Sequence, residues 1–437
     1  FTTPVVDFAH IHAVSGGLLK DRAAFEALFA YIVSEFSVEH LRPLHCHFTD
    51  NRFGPQGELT HVPYGEGGSL RAAWIYEGAQ RYDIALKVIS EERWPESHVA
   101  IREELRSAGA PLVSGPPLRE LVSAWAREPL PVEPRGEAHV LRAGPREVRV
   151  TNLDKVLFPD AGYTKADLIG WYYAAAPLML PFLRDRPVVM QRVPDGILGE
   201  AFYEKQAPRG LPEWVRTVPV PSDEGRRTID FVVADEVATL VWLAQIASVE
   251  CHAWTSRWPA LDEPDFAVLD LDPFEPTTFE DVRAVARLVK VVLDGLGVRA
   301  FPKTSGGAGI QIFVPLVPGH TYPQVRAFCA GVAKLIRAAY PEKVTTEMSI
   351  PRRKGHVFVD VNQNARGKTL VAPYSVRPYP GAPVSTPLRW EDLDEEIYPE
   401  QFTIRTVPAL VDERGDPFRA ALLHRQDIRP AIARLGG

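Results

Sequence analysis

Two aspartates one residue apart, closing an apolar run, constrain this chain more than any other feature: Val268-Leu269-Asp270-Leu271-Asp272-Pro273. Alternate residues of a β-strand point to one face, so Asp270 and Asp272 project their carboxylates side by side. Adjacent anions repel unless a cation lies between them, and hard divalent ions such as Mg²⁺ or Mn²⁺ take oxygen ligands. A second apolar, β-branched run, Val357-Phe358-Val359-Asp360, ends on a third carboxylate that a neighbouring strand can bring to the same place. Three such groups suit a pair of ions about 4 Å apart, as in polymerases and nucleases. Alone, an Asp-x-Asp followed by Pro-Phe is also an ordinary strand end leading into a turn.

The sequence between the carboxylates reads β-α-β. After the strand ending at Asp272, a capping box over Thr277-Thr278-Phe279-Glu280 opens a helix that Gly295 and Gly297 close. Val282, Val285, Ala286, Leu288, Val289, Val292 and Leu293 keep helical spacing, which makes this a core-facing helix. A strand is expected over Val298 to Phe301. Ser305-Gly306-Gly307-Ala308-Gly309 then leads into an apolar strand from Ile310 to Leu316, and three glycines in five residues let backbone N–H groups converge on an anion.

From about residue 146 to 430 the chain resembles the primase-polymerase module of bacterial ligase D, a member of the archaeo-eukaryotic primase superfamily. The motifs come in family order: DKVLFP at 154, GYTKADL at 162, RPVVMQRVPDG at 186, FYEKQAP at 202, ECHAW at 250, DLDP at 270, KTSG at 303, FVDVNQN at 358, then VAPYSVR and GAPVSTPL. The resemblance implies an RRM-like antiparallel or mixed catalytic sheet flanked by helices. It assigns Asp270, Asp272 and Asp360 to catalysis and metal binding. Lys303, Ser305, Gly306, His252 and Arg377 fall to the nucleotide, and Phe202 and Tyr203 to stacking on a base. Lys155 and Lys165 match lysines that grip the 5′-phosphate of a gapped or broken DNA end.

Five positions depart from that pattern. Gly307 and Ala308 stand where the family loop carries serine and lysine, and Gln311 replaces a histidine. Gln363 and Tyr379 occupy positions often held by arginine. Each loss removes a charge-assisted contact, the stronger kind of hydrogen bond. The metal set is complete while the triphosphate pocket is thinned.

The first 105 residues have another character. His10, His12, His40, His45, His47 and His61 fall within 61 positions, and histidines interleaved with carboxylates suit transition-metal ligation. Apolar strands PVVDF, LRPLHCHF and IALKVIS are separated by helical stretches near 22–37 and 68–80. Asp7, His47 and Glu91 fall at strand C-termini, where (β/α)-barrel enzymes build their sites. Through VDFAHIHA, LHCHFTD, HVPYGEG and VISE this piece resembles the C-terminal part of endonuclease IV-type abasic-site nucleases. That resemblance makes Asp7, His10, His47, His61 and Glu91 ligands of a residual Zn²⁺. Leu59 replaces an aspartate of the pattern, and a full barrel needs about 250 residues. The piece is thus expected to be a partial TIM barrel, a fragment or a degenerate half, without nuclease activity of its own.

The expected organisation is α/β in the α+β sense. A partial (β/α) barrel piece covers 1–105, a Pro-rich linker with a short helix over Leu118, Leu121, Val122 and Trp125 covers 106–145, and the primase-polymerase domain covers 146–437. No apolar run of about 20 residues and no signal peptide occurs, and Cys46, Cys251 and Cys329 are few and far apart, which fits a reducing, cytoplasmic setting without membrane contact. A net charge of −7 argues against indiscriminate nucleic-acid binding, so DNA contact must be local. Arg352, Arg353, Lys354, Arg366, Lys368 and Arg377 offer a basic cluster around Asp360. The implied function is a template-dependent nucleotidyltransferase of non-homologous end joining, using Mn²⁺ or Mg²⁺ and NTP or dNTP on 5′-phosphorylated ends and short gaps. Its expected partners are a Ku-like end-binding protein and a DNA ligase; no K-x-D-G ligase signature occurs, so sealing is expected from another chain or from sequence beyond these residues. The alternatives are a catalytically weakened DNA-end-binding module and a zinc-dependent abasic-site nuclease activity from the N-terminal part.

Overall fold

The computed structural model describes residues 5–15, 17–36, 41, 44–48, 50–54, 57–62, 64, 70–84, 86–90, 100–101, 104–105, 107–109, 130–221 and 227–436. The chain divides into two compact units, Phe1–Gly115 and Pro116–Gly437.

In the first unit β1 (Val5–Asp7), β2 (Leu44–Phe48) and β5 (Leu86–Ser90) form a parallel sheet in the order β1-β2-β5, and β3 (Asp50–Gly54) pairs with β4 (Gly57–Val62) as a hairpin. Helices α1 (Phe8–Val14), α2 (Arg22–Glu35) and α3 (Ala72–Arg81) accompany them. Phe8, Phe25, Phe29, Ile75 and Cys46 form the core. The expected strands and helices are therefore present, as three parallel strands with helical crossovers. No barrel closes among the described residues.

The second unit begins differently from the expected linker. From Val132 the chain is an antiparallel meander of β6 (Val132–Arg135), β7 (Ala138–Ala143) and β8 (Arg146–Val150), whose Leu141, Ala143 and Val148 enter the main core. Pro134 is tolerated because β6 is an exposed edge strand, where a missing N–H costs nothing. The helix expected from Leu118 to Trp125 lies outside the described residues.

Next come β9 (Val156–Phe158), β10 (Tyr163–Thr164) and α4 (Lys165–Leu183). A six-stranded antiparallel sheet follows, built from β11 (Val188–Arg192), β12 (Phe202–Glu204), β13 (Thr217–Pro221), β14 (Thr228–Val232), β15 (Ser248–Trp254) and a late strand, with α5 (Val237–Gln245) inserted before β15.

The carboxylate-bearing sheet holds β16 (Phe266–Pro273), β17 (Phe301–Thr304), β18 (Ile310–Pro315), β19 (Val344–Thr345) and β20 (Val357–Asp360), in the order β17-β18-β16-β20-β19. All pairs are antiparallel except β19 with β20. With α6 (Phe279–Leu296) and α7 (Tyr322–Ala339) this is the β-α-β-β-α-β pattern of RRM-like and ferredoxin-like folds. β21 (Thr369–Val371) returns to β15 in the first sheet.

Local chemistry sets these boundaries. Thr278, not Thr277, caps α6: its hydroxyl accepts from Asp281 N while the Asp281 carboxylate accepts from Thr278 N. The expected strand at 298–301 begins three residues later. Gly297 ends α6 in the left-handed region at φ 74° and Val298 N donates to Leu293 O, so residues 298–300 complete the helix stop before β17 can start. Val282, Val285, Ala286 and Val289 bury against Leu269 and Leu271 of β16. Strand alternation then turns Asp270 and Asp272 to the opposite face.

Candidate active site

The carboxylate face is a row in register across four strands. Lys303 of β17 lies opposite Gln311 of β18, Gln311 opposite Asp270 of β16, and Asp270 opposite Asp360 of β20. Asp272 is one step along the same face, opposite Phe358. Below the row, Phe266 and Val268 join Phe182, Phe313, Leu370 and Phe418 in an apolar floor that reaches β21, so the charged groups end a dry layer.

Burial and mutual repulsion dominate the electrostatics. Asp270 is 5% exposed, and burial together with Asp272 pushes its carboxyl well above the usual range, against the pull of a Gln311 hydrogen bond and of Lys303. Burial and Asp360 push Asp272 up to about 6, with Arg353 opposing. Lys303 is fully buried, and burial brings its ammonium down to about 7 against the pull of Asp270. It donates to Ser385 Oγ. Asp360 Oδ1 accepts from Asn362 N at 2.9 Å, which fixes the turn after β20.

The donor chemistry fits a hard divalent cation. Neighbouring carboxylates help to raise the proton affinity of Asp270 and Asp272, and the buried Asp270 Oδ1 has no hydrogen-bond partner. As they stand, no group of three or more His, Cys, Asp or Glu side chains among the described residues is arranged to hold a metal ion.

The Gly-rich loop closes beside this row. Ser305 N donates to Gly309 O at 2.9 Å, and Ser305 Oγ accepts from Gly307 N and Gly309 N at 3.2 and 3.1 Å. Two glycines are demanded by space. A Cβ on Gly309 would stand 2.6 Å from Leu271 O and 3.2 Å from Asp272 Oδ1. One on Gly306, whose φ is +77°, would meet Arg377 Cγ at 2.6 Å. Ala308 is exposed at the loop tip.

Arg377 connects the loop to β15. Its Nη1 donates to Ser305 O at 2.5 Å, Nη2 reaches the Tyr379 hydroxyl at 3.3 Å, and Nε pairs with Glu250. Glu250 Oε2 also lies 2.8 Å from His252 Nε2. Burial, aided by Lys303, brings His252 down to about 4, so the ring is neutral near pH 7. His252 meets Tyr203 edge-on at 5.5 Å, and Arg192 lies over Phe202 at 5.4 Å. Phe202 and Tyr203 are 40% and 60% exposed, far more than core aromatics. Glu250 heads the ECHAW motif, but nothing local to it announced this role, because its partner lies 127 residues away.

Lys155 and Lys165 come together at the start of α4. Lys165 N donates to Lys155 O at 2.8 Å, and Thr164 caps the helix with Asp167 completing the box. Burial and Lys155 bring Lys165 down to about 8. Lys155 pairs at 2.7 Å with the exposed Asp195. Of the basic cluster, Arg353 stacks 3.5 Å from the Phe358 ring next to Asp272, whereas Arg366 pairs away with Asp262.

In the first unit, Asp7 and His47 are in register on adjacent parallel strands. Asp7 Oδ1 accepts from His10 N at 2.9 Å as the cap of α1, so this carboxylate is engaged in the helix start. Glu91 and the side chains of His47 and His61 lie outside the described residues.

Residues 164–418 match the family model described as LigD, primase-polymerase domain. The chain is 34% identical over 323 residues to the multifunctional non-homologous end joining protein LigD of Pseudomonas aeruginosa, over 73% of this chain and 38% of that protein. It is 34% identical over 277 residues to the bifunctional non-homologous end joining protein LigD of Bacillus subtilis, over 62% of this chain and 44% of that one. It thus spans about two fifths of the length of these curated relatives. The solved polymerase domain from Mycobacterium tuberculosis ligase D in complex with DNA has a TM-score of 0.60 and 31% identity, covering 64% of this chain and 99% of that domain. Together with the carboxylate row and its Gly-rich loop, these matches mean that the chain belongs to the LigD primase-polymerase domain family.

Proposed function

We propose that the chain is a template-directed nucleotidyltransferase that fills short gaps and extends ends during non-homologous end joining of DNA double-strand breaks. One observation carries the reading: Asp270 and Asp360 face each other across β16 and β20, with Asp272 on the same face and the Ser305–Gly309 loop at its rim. Asp270, Asp272 and Asp360 hold the Mn²⁺ or Mg²⁺. A divalent ion held there would supply charge neutralisation at the reacting phosphate and acidify the primer 3′-hydroxyl.

The chain's own groups do the positioning. Arg377 and the N–H groups around Ser305 and Gly306 orient the triphosphate of the NTP or dNTP. The buried Lys303 supports the loop from below. Phe202 and Tyr203 offer exposed rings to a base, a contact of about 1–3 kcal/mol in single-strand binders, with His252 beside them. Lys155 and Lys165 at a helix N-terminus receive the 5′-phosphate of the DNA end. A Ku-like protein and a DNA ligase complete the pathway as partners.

A second reading, an end-binding module without turnover, is favoured by the neutral residues Ala308, Gln311, Gln363 and Tyr379 around the triphosphate. Primer extension on a 5′-phosphorylated one-nucleotide gap, with Mn²⁺ and each ribonucleotide, separates the two. Template-matched addition lost in Asp270→Ala supports the polymerase; tight phosphate-dependent binding with no addition supports the module. For the first unit we infer a barrel fragment with a residual Zn²⁺ site near Asp7 and His47, and metal analysis of the purified chain finding no zinc removes it.

A further inference from the structure

Glu250 is fully buried in β15, and a charge survives there only when paired and hydrogen-bonded. Its oxygens are divided between two partners, Oε2 with His252 Nε2 at 2.8 Å and Oε1 with Arg377 Nε. Arg377 gives one further N–H to Ser305 O and one to the Tyr379 hydroxyl. A guanidinium has five N–H donors. Nη1 and Nη2 each give one here, to Ser305 O and the Tyr379 hydroxyl, while Nε only ion-pairs with Glu250; one further N–H remains on each terminal nitrogen. These remaining N–H groups are donors of the kind that phosphate oxygens accept. On the other side, a neutral His252 that donates Nε2–H to Glu250 has its tautomer and ring plane set, and this ring is the edge contact of Tyr203.

We propose that Glu250 is the positioning residue of the nucleotide site. It fixes the Arg377 fork against the Gly-rich loop and sets the His252 ring against Tyr203, so one buried carboxylate aligns the triphosphate contact and the stacking contact together. This rests on the polymerase reading above. A rival role, simple neutralisation of Arg377, has the opposite sign, because removing the negative charge would then tighten anion binding.

The test is calorimetric binding of a uridine triphosphate analogue with a methylene bridge between its α and β phosphorus atoms, in Mn²⁺ buffer. The proteins are wild type, Glu250→Gln, Glu250→Ala, Arg377→Lys and the combinations of each Glu250 change with Arg377→Lys. Gln keeps an acceptor for Arg377 Nε, so E250Q is expected to weaken binding about threefold and E250A at least tenfold. R377K loses the fork and is expected to weaken binding about as much as E250A. On the R377K background the effect of either Glu250 change shrinks to the part that runs through His252, because the rest acts through Arg377. Should E250A not fold, the shrinkage of the E250Q effect on R377K carries the same test. Affinity for 5′-phosphorylated DNA is unchanged in every variant.

Three results overturn the proposal: unchanged or tighter triphosphate binding in E250A and E250Q, an undiminished Glu250 effect on R377K, or a parallel loss of DNA-end binding. Absence of triphosphate binding by wild type overturns it as well. If wild type binds the analogue but extends no primer, the polymerase reading fails while Glu250 is still judged by the binding ratios.

Discussion

Asp272→Asn is expected to make the metal-free protein more stable while abolishing extension. In the folded chain burial and Asp360 raise the Asp272 carboxyl to about 6, against an ordinary value of 3.8. A raised folded pKa means that the folded state holds the proton more tightly than the unfolded one. The group therefore favours folding at low pH, and that advantage is lost as pH climbs from about 4 through 6. Above that window the ionised Asp272 opposes folding by roughly two pKa units, or about 3 kcal/mol at 1.36 kcal/mol per unit. Asparagine keeps the shape and removes the charge. With an unfolding entropy of about 2 cal/mol/K per residue over the roughly 320 residues of the second unit, that gain is a rise of about 4 °C in Tm.

The assay is thermal denaturation in EDTA at pH 8 and pH 4, followed by titration with Mn²⁺. The variant should melt about 4 °C higher than wild type at pH 8 and at the same temperature at pH 4. Mn²⁺ should raise the wild-type Tm and leave the variant nearly unmoved, since a ligand that binds only the folded state stabilises in proportion to its occupancy. An equal gain at both pH values, or a lower Tm at pH 8, refutes the claim that burial and Asp360 raise the Asp272 carboxyl in the fold.

Two further outcomes follow from the geometry. Lys165 sits near 8, so its ammonium is lost as pH rises through that value; preference for 5′-phosphorylated over unphosphorylated gap DNA should decline from pH 7 to pH 9 and vanish in Lys155→Ala/Lys165→Ala, measured by fluorescence anisotropy. Gly309→Ala drives a methyl into Leu271 O and toward Asp272, and such overpacking costs about 1–3 kcal/mol. Because the displaced atoms belong to the carboxylate strand, primer extension should fall at least tenfold with DNA-end binding intact.

How much of this was legible in the sequence depended on the range of the interaction. The Asp270/Asp272 face follows from strand alternation alone, and the core face of α6 from its 3.6-residue period. One-residue choices did not follow, because Thr277 and Thr278 offer equal hydroxyls and only the reach of Asp281 over Glu280 selects between them. The meander from Val132 was hidden by its prolines, although Gly136 and Gly144, both at positive φ in two-residue turns, were its signal. The role of Glu250, the first residue of ECHAW, was hidden for a deeper reason. Its partner Arg377 comes from a distant segment that β21 carries back to β15, and no local pattern encodes that return.

The thinned triphosphate pocket yields a prediction that separates two ways of losing a cation. Gln311 is buried in the row between Lys303 and Asp270, and Ala308 is exposed at the loop tip. A histidine at 311 would be buried between Lys303 and Asp270, whose opposite charges act on an imidazolium in opposite directions, which leaves burial to favour the neutral ring. Gln311→His should therefore leave the KM for a ribonucleoside triphosphate within about twofold. Ala308→Lys adds a solvated, flexible ammonium beside the anion site without a burial penalty. An exposed charge contact of this kind is worth about 0.2–1 kcal/mol, which corresponds to a KM lower by up to about fivefold with kcat little changed, and the gain should shrink at high salt. Steady-state extension at two salt concentrations measures both variants. A larger effect from Gln311→His than from Ala308→Lys would mean that the interior of the row, not its rim, supplies the missing charge.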